Sequence, residues 1–277
     1  MTAFTVTPVT PNIGAEIGDI HLTSTLSEAT MEELEQALLQ WKVLFFRDQD
    51  IDIEDQKRLG SWFGELEVHH PTIPKDSKNP EIVRIEEDEK VSVHNNLWHS
   101  DVCFKIKPPL GSILRAREMP AVGGDTLFAN MEAAYAGLSD DIKTIIDGAH
   151  AVHGWPPAWI DLAMRKEGVT DREAFRRQNP DPEHPIVRRH PQTGNKCLYV
   201  NIAFTRYIVG MDQAESDKLL RLLYRQAAIP EYQCRLRWQK NTVAFWDNRC
   251  TQHYAVADFF PQRRVVERIT ICGDRPV

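Results

Sequence analysis

The chain has 277 residues, with 33 Lys and Arg against 40 Asp and Glu, so its formal net charge is −7 with neutral histidines. This balance argues against a nucleic-acid-binding protein, because affinity for a phosphate backbone depends on basic side chains concentrated on one face. A hydrophobic fraction of 42% and a charged fraction of 26% are typical of a globular chain that buries a sizeable core.

The five cysteines are widely spaced and form no CxxC pair, which predicts reduced thiols rather than a disulfide framework. The N-terminal residues lack the basic and apolar segments of a secretory signal. No apolar stretch approaches the length of a membrane-spanning helix. We therefore expect a cytoplasmic protein that does not bind membranes.

The first part of the chain predicts two helices on either side of a strand. Ser27 is typical of a helix N-cap, and apolar residues recur behind it at helical spacing. The run VLFF at 43–46 has the length of a buried strand, and residues 52–63 show a weaker helical pattern. The predicted face of the first helix consists of Met31, Leu34, Leu38 and Trp41.

From residue 81 onward the sequence becomes rich in short strand-like runs separated by Gly, Pro, Asn and Asp, which predicts a sandwich or barrel. Helical patterns interrupt the series at 131–138, 140–148 and 214–226. We predict a single domain over 1–277, mainly β with helical insertions. The strand-like runs include IVRIEE, LWHSDVCF, GSILRARE, GDTLF, CLYVNIAF, TVAFWD and RRVVERITICG.

Two segments have a different character. Residues 155–185 are proline-framed, charged and poorly periodic, so they are either a surface insertion or a lid over a site. The acidic run 86–89 is interpreted as a solvated turn before the segment LWHSDVCF.

The first chemical signal is metal ligation. His99 and Asp101 lie two residues apart in LWHSDVCF, and in a strand both side chains would project from the same face. An HxD triplet alone is a weak signal, since a partly exposed strand pair is the better explanation of a solitary one. His253 could add a second imidazole, and two histidines with one carboxylate form the facial site typical of non-haem Fe(II) oxygenases.

A pair of arginines follows this histidine. Arg264 and Arg268 lie four residues apart on a predicted strand and would face the same way. Two guanidinium groups beside a metal could hold two anionic groups through bidentate hydrogen bonds. The alternative is an exposed charge ladder, with Glu267 and Asp258 as partners.

Eight segments, spread along the chain in the same order as in the family, resemble the iron(II)- and 2-oxoglutarate-dependent dioxygenases of the taurine dioxygenase group. The similarity covers nearly the whole chain. It implies a double-stranded β-helix, a cupin-like jelly roll with helical insertions, and a homo-oligomer of two or four subunits. The segments are GAEIGDIHL, LLQWKVLFFRDQ, FGELEVHHP, NNLWHSDVCF, GGDTLF, HPIVRRHPQTG, VNIAFTRYIVG and WDNRCTQHYAVADFFPQRRVVERITICGD.

By this resemblance, His99, Asp101 and His253 correspond to the iron ligands. Thr126 and Arg264 correspond to the residues that hold the distal carboxylate of 2-oxoglutarate. The implied cofactor is Fe(II), with 2-oxoglutarate and O2 as cosubstrates. The implied reaction hydroxylates a substrate carbon and releases succinate and CO2.

The resemblance also implies a substrate site for a small anion. Its residues correspond to His69, Asn95, Phe204 and Arg268, with His69 and Arg268 on a sulfonate. In a taurine-type reaction, hydroxylation next to the sulfonate yields an aldehyde and sulfite.

Several positions depart from the taurine enzymes. His94 replaces an acidic residue near the substrate amine, and Ala158 with Trp159 replaces a serine–phenylalanine pair. Thr72 or Ile73 stands where a tyrosine is usual. These changes favour a more apolar pocket for a bulkier or uncharged tail. Taurine, another sulfonate, an alkyl sulfate ester and an aryloxyalkanoate acid all remain candidate substrates.

The proposed ligands change what the net charge excludes. Fe²⁺ with Asp101, Arg264 and Arg268 would give a pocket charge of about +3 before 2-oxoglutarate and a substrate anion bring it near neutral. The negative net charge therefore does not exclude small anionic ligands.

Two other function classes remain open at this point. A non-catalytic jelly-roll protein could use the arginines to bind a small acid, and it would bind this ligand without consuming oxygen. A zinc hydrolase with the same three ligands is disfavoured, because two arginines placed for carboxylates have no evident role in it.

Overall fold

The computed structural model describes residues 3–68, 78–89, 96–156, 159–161, 164–165, 168 and 170–277. The predicted substrate residues His69, His94 and Asn95 lie outside the described residues, and so does Ala158.

A seven-stranded sheet forms one layer of the fold. Its strands are β1 (Thr5–Pro8), β2 (Ala15–Gly18), β3 (Val43–Phe46), β4 (Val83–Glu87), β5 (Gly111–Glu118), β13 (Val243–Asp247) and β15 (Arg264–Ile271). They lie in the order β1-β2-β3-β13-β5-β15-β4. All neighbours are antiparallel except β2 and β3, which are parallel.

Shorter strands form the opposing layer. They are β6 (Thr126–Asn130), β7 (His150–His153), β8 (Glu183–Pro185), β9 (Val187–Arg189), β10 (Lys196–Leu198), β11 (Thr205–Ile208), β12 (Gln233–Leu236) and β14 (Thr251–Ala255). Their sheets have the orders β12-β6-β14, β11-β7-β8 and β10-β9. The sheet of β12, β6 and β14 carries His253 and Thr126, so it supplies one wall of the candidate site.

The named helices pack on the outside of these layers. They are α1 (Glu28–Trp41), α2 (Ile53–Phe63), α3 (Met131–Ala136), α4 (Asp140–Ile146), α5 (Arg172–Gln178) and α6 (Gln213–Tyr224). Polar N-caps fix where they begin: Ser27 Oγ accepts from Thr30 N, and Asp52 with Asp55 forms a reciprocal capping box before α2.

Alternation along β15 shows how the large sheet is buried on both faces. Val266 packs between the layers with Phe128 and Trp246. Ile269 and Ile271 instead join the core formed with helix α1. Since successive strand residues point to opposite faces, Arg264 and Arg268 share the inter-layer side with Val266.

The strongly periodic predictions are confirmed. The first helix begins after Ser27, the run VLFF is β3, and residues 53–63 form α2. The three later helical patterns correspond to α3, α4 and α6, each slightly shorter than predicted. Helix α6 ends at Tyr224, and the last two residues of the predicted range, 225–226, belong to a 3-10 helix at Arg225–Ala228.

The strand prediction for LWHSDVCF is wrong. Only His99 makes a strand-like bridge, and residues 101–104 form a turn. Val102 has a φ of 51°, a left-handed conformation that a β-branched residue adopts only when its surroundings enforce it. The chain therefore reverses directly behind Asp101 instead of continuing as a strand.

The interpretation of the acidic run 86–89 as a solvated turn is also wrong for its first two residues. Glu86 and Glu87 are the last residues of β4, paired with β15. Glu87 is buried, with a relative exposure of 8%.

Among the described residues, no helix has both the length and the apolar character needed to cross a membrane.

Candidate metal centre and substrate pocket

His99 and His253 are brought together by backbone pairing. They form an isolated antiparallel bridge in which each backbone N donates to the other residue's carbonyl oxygen, at 3.1 and 2.8 Å. Their ring centroids lie 4.1 Å apart. The pairing joins the LWHSDVCF segment to β14, so two residues far apart in sequence present adjacent imidazoles.

Asp101 is held in place by residues distant in sequence. The Asn248 side chain accepts from Asp101 N at 2.6 Å and donates to Asp101 O at 3.0 Å. Ser112 Oγ donates to Asp101 Oδ2 at 3.0 Å. These bonds fix both the backbone and the carboxylate plane of Asp101, which orients Oδ1 toward the histidines.

The three side chains offer a metal-binding donor set. One ligand atom from each of His99, Asp101 and His253 lies within 4.8 Å of the other two, and all three residues are buried. His253 Nε2 is 3.9 Å from Asp101 Oδ1. His99 Nδ1 is 2.6 Å from Leu97 O, to which it can only donate, so the Nε2 lone pair remains available for a metal.

The protonation states suit a cation. Burial lowers the pKa of His99, and it lowers the pKa of His253 to about 3, so both imidazoles are neutral at pH 7. Burial alone would raise the pKa of Asp101, but Arg268 and the two histidines outweigh it and hold that pKa well below its usual range. Two neutral imidazoles and a carboxylate therefore fit a divalent iron ion.

Arg268 lies next to this donor set. Its guanidinium donates to Asp101 Oδ1 at 2.9 Å. Its Nε is buried without a hydrogen-bond partner among the described residues. Arg268 therefore has donor capacity left for an anionic group beside the metal position.

Arg264 and Thr126 lie near the glycine pair that precedes β6. The Cδ of Arg264 is 3.5 Å from the position that a Cβ on Gly124 would take, which places this arginine beside the GGDT turn. Gly123 and Gly124 have φ values of 84° and 71°, which other residues rarely adopt. Thr126 Oγ1 accepts from Trp238 Nε1 at 2.9 Å, which leaves the hydroxyl proton free to donate to a ligand.

An aromatic wall stands on the other side of His99. It consists of Phe104, Trp159 and Phe204, and Trp155 packs behind Phe104 at a centroid distance of 4.5 Å. The Phe204 ring makes an edge contact with His99 at 6.1 Å, and Trp159 lies 5.7 Å from Phe204. Trp159 is 39% exposed, so the wall runs from the metal position to the surface.

A second cluster also has metal-ligating residue types. His190, Asp247 and Cys250 offer ligand atoms within 4.8 Å of one another. Asp247 accepts from Arg249 Nε at 2.8 Å and from Arg249 Nη2 at 2.6 Å. His190 Nε2 is 2.9 Å from Asp247 Oδ2, and its Nδ1 accepts from the backbone N of Gln192 and Thr193.

The structure brings several of the predicted residues together. Arg268 contacts the donor set, Phe204 contacts His99, and Trp159 contacts Phe204. Thr126 lies on the strand paired with β14, and Arg264 lies four residues before Arg268 on β15. Sequence reasoning missed several residues that support them. Ser112 and Asn248 are in ordinary strand and turn segments, and Phe104 and Trp155 resemble core aromatics. The residue missed with the largest chemical consequence is Glu87, which pairs with Arg264 at 3.2 Å.

Two buried histidines and one buried carboxylate with converging ligand atoms are the donor set typical of non-haem Fe(II) oxygenases. Comparison with known proteins defines the family. Residues 5–270 match the family described as "Taurine catabolism dioxygenase TauD, TfdA family". The chain belongs to this family, and it is an alpha-ketoglutarate-dependent dioxygenase.

The names of two curated relatives describe activity on sulfate esters. An "Alkylsulfatase" from Acinetobacter baylyi is 38% identical over 273 residues, covering 96% of this chain and 84% of the relative. An "Alpha-ketoglutarate-dependent sulfate ester dioxygenase" from Pseudomonas putida is 37% identical over 279 residues, covering 98% and 90%.

Solved structures confirm the jelly-roll fold. A taurine dioxygenase from Burkholderia xenovorans superposes with a TM-score of 0.85 at 35% identity, covering 99% of this chain and 93% of that one. A second structure, AAD-2 in complex with Mn(II) and N-oxalylglycine, has a TM-score of 0.80 at 27% identity and covers 99% and 98%.

Proposed function

We propose that this dioxygenase hydroxylates the carbon next to the sulfate or sulfonate group of a substrate with an apolar tail. The observation that carries the proposal is the aromatic wall of Phe104, Trp159 and Phe204 beside His99. Aromatic rings pack favourably against an alkyl chain, and these three side chains carry no negative charge to pair with a free ammonium group. The names of the two sulfate ester relatives agree with this substrate class.

The metal role follows from the donor set. His99, Asp101 and His253 would hold Fe(II) from one face, and Ser112 and Asn248 keep the carboxylate oriented. Bound iron supplies the oxidising chemistry, which couples decarboxylation of 2-oxoglutarate to hydroxylation by O2. The neutral imidazoles need no deprotonation before they bind the metal.

Each of the two arginines would bind a different anion. Arg264 and the Thr126 hydroxyl bind the distal carboxylate of 2-oxoglutarate. Arg268, already within 2.9 Å of Asp101, binds the substrate anion and so places its neighbouring carbon beside the metal. The four-residue separation puts their Cα atoms ~13 Å apart along β15, which keeps the two anionic sites distinct.

The products depend on the anionic group. Hydroxylation of R–CH2–OSO3⁻ gives R–CH(OH)–OSO3⁻, which loses hydrogen sulfate and leaves the aldehyde RCHO. Hydroxylation of R–CH2–SO3⁻ gives R–CH(OH)–SO3⁻, which loses hydrogen sulfite and leaves the same aldehyde. Each turnover also releases succinate and CO2 from 2-oxoglutarate.

The test compares hexyl sulfate, 1-hexanesulfonate and taurine. Substrate-stimulated succinate formation should require Fe(II) and O2, and the two hexyl compounds should give the higher kcat/KM. Under anaerobic conditions, they should also perturb the charge-transfer absorption of the Fe(II)–2-oxoglutarate complex. A clear preference for taurine would contradict the apolar-tail proposal.

A variant pair connects this preference to the wall. Trp159→Ala should raise KM for hexyl sulfate roughly tenfold through lost apolar contact, with a smaller change for taurine. Trp62→Ala is the matched control, because Trp62 is 42% exposed and lies on α2. Equal effects of the two variants would mean that Trp159 does not contact the substrate tail.

A further inference from the structure

Arg263, just before β15, and Arg264, its first residue, each pair with a carboxylate of β4. Arg263 binds Glu86 at 2.7 Å on the surface, and the side chains are 42% and 43% exposed. Arg264 binds Glu87 at 3.2 Å, and these side chains are only 6% and 11% exposed. Arg264 and Glu87 are direct partners in the strand register. The same chemical pair therefore occurs once in solvent and once in the protein interior.

In the ligand-free protein, Glu87 compensates the buried positive charge of Arg264. Burial lowers the pKa of Arg264, and the neighbouring Glu87 acts against this shift. A buried guanidinium without a nearby negative charge is strongly destabilising. Glu87 supplies that charge, and it holds Nη1 so that the guanidinium keeps one orientation.

Only part of the Arg264 fork is used by this contact. The Nε atom is buried and has no hydrogen-bond partner among the described residues. A guanidinium presents five N–H donors, so Arg264 can bind a second carboxylate without releasing Glu87. Under the proposed function, that second carboxylate is the distal one of 2-oxoglutarate.

We infer that Glu87 is the resident counter-ion of Arg264, a positioning residue whose negative charge weakens the binding of 2-oxoglutarate through its distal carboxylate. This inference rests on the proposed role of Arg264. Two carboxylates on one guanidinium repel each other in a poorly hydrated interior. Glu87 also lowers the formal charge of the pocket from about +3 to about +2 before the cosubstrate binds.

The test uses a ligand pair and a variant pair. The ligands are 2-oxoglutarate and 2-oxopentanoate, which chelates a metal in the same way but ends in a methyl group. The variants are Glu87→Gln and the matched control Glu86→Gln, which removes the same charge from the surface pair. Dissociation constants come from anaerobic titration of the Fe(II) protein, followed by the charge-transfer absorption.

For Glu87→Gln we expect the dissociation constant of 2-oxoglutarate to fall roughly fivefold or more, with no such gain for 2-oxopentanoate. The selectivity ratio, defined as the dissociation constant of 2-oxopentanoate divided by that of 2-oxoglutarate, should therefore rise. Glu86→Gln should leave both constants within about twofold of the wild type, because exposed pairs contribute little. A merely structural role of Glu87 would weaken both ligands together and would leave their ratio unchanged.

A ratio in Glu87→Gln that equals the wild-type ratio, or falls below it, overturns the inference. If Glu87→Gln does not fold, Glu87→Asp serves instead: its carboxylate retreats by one methylene, and the ratio should rise by a smaller factor. An unchanged ratio in that variant overturns the inference as well. If the wild-type protein forms no saturable 2-oxoglutarate complex, the proposed function itself fails, which is a different outcome.

Discussion

The two buried clusters of the protein contain similar residues but differ in the lone pairs that remain free. At His190, Nδ1 accepts from two backbone N–H groups, so Nε2 must carry the proton that it donates to Asp247. At His99, Nδ1 donates to Leu97 O, so Nε2 keeps a free lone pair. The first imidazole cannot bind a metal without losing its hydrogen bonds, whereas the second is prepared for one.

The other two members of the His190 cluster are also poor metal ligands. Asp247 is fully buried and accepts two hydrogen bonds from the side chain of Arg249, a residue only two positions away. Burial and the nearby Asp247 raise the pKa of Cys250 well above its ordinary value, so this thiol stays protonated. Residue types and short distances therefore do not define a metal site. The direction of each hydrogen bond decides which cluster can take a cation.

Alanine substitution of the two histidines gives the largest expected contrast. His99→Ala should lower substrate-stimulated succinate formation by roughly three orders of magnitude or more, because a metal ligand is lost. His190→Ala should lower the free energy of unfolding by about 1 to 3 kcal/mol and keep one iron per folded chain. Iron content and turnover of the folded fraction measure both, and loss of iron from His190→Ala would break the comparison.

Asp247→Asn tests the structural cluster through stability. The change leaves the buried Arg249 guanidinium without its counter-charge, so urea denaturation should show a loss of about 3 to 5 kcal/mol. Glu54→Gln removes an exposed helix pair with Lys57 and should cost less than about 0.5 kcal/mol. Equal effects of the two substitutions would contradict a structural role for Asp247.

Ser112→Ala tests whether the hydrogen bond to Asp101 contributes to metal binding. Loss of the hydrogen bond to Asp101 Oδ2 should weaken iron binding by roughly 10- to 100-fold. Ser100→Ala is the control, since Ser100 lies between the two ligands but donates to Thr251 O. Competition with a chelator reports the affinities, and an unchanged affinity in Ser112→Ala would show that this bond does not orient the carboxylate.

His184 tests whether burial keeps an imidazole neutral outside these two clusters. Burial, with smaller contributions from Arg188 and Arg275, lowers the pKa of His184 to about 4, from 6.5. The unfolded chain takes up this proton below about pH 6.5 and the folded protein does not, so stability falls as the pH drops toward 4. The contribution should reach about 2 kcal/mol at pH 5.

Urea unfolding at pH 7.5 and pH 5 measures this effect. His184→Gln should reduce the acid-induced loss of stability, whereas His150→Gln, on an exposed residue of β7, should leave it unchanged. A wild-type loss that persists in full in His184→Gln would assign the acid sensitivity to other groups.

Local patterns were sufficient for the elements with clear periodicity, and non-local pairing accounts for the errors. Helix α1 and strand β3 follow from spacing within their own residues. LWHSDVCF alternates like a strand, but Asn248 binds the backbone of Asp101 and the chain turns at Val102. No pattern near Glu87 shows that β4 pairs with β15.

The same distinction applies to the site. The donor set could be proposed from sequence because metal ligation restricts residue types and spacing. Its orientation could not, since Ser112 and Arg268 reach Asp101 from 11 and 167 residues away. The aromatic wall was anticipated only at Phe204 and Trp159, because Phe104 and Trp155 have the composition of ordinary core residues.

The alternation along β15 has a consequence for how this enzyme can diversify. Arg264 and Arg268 share one face, while Ile269 and Ile271 anchor the other face to α1. Inserting or deleting a single residue between the arginines would turn one of them toward the helices and away from the cavity. Substitutions on this face can therefore change Arg264 and Arg268 one at a time, whereas a change in the length of the strand would alter the direction of one of them.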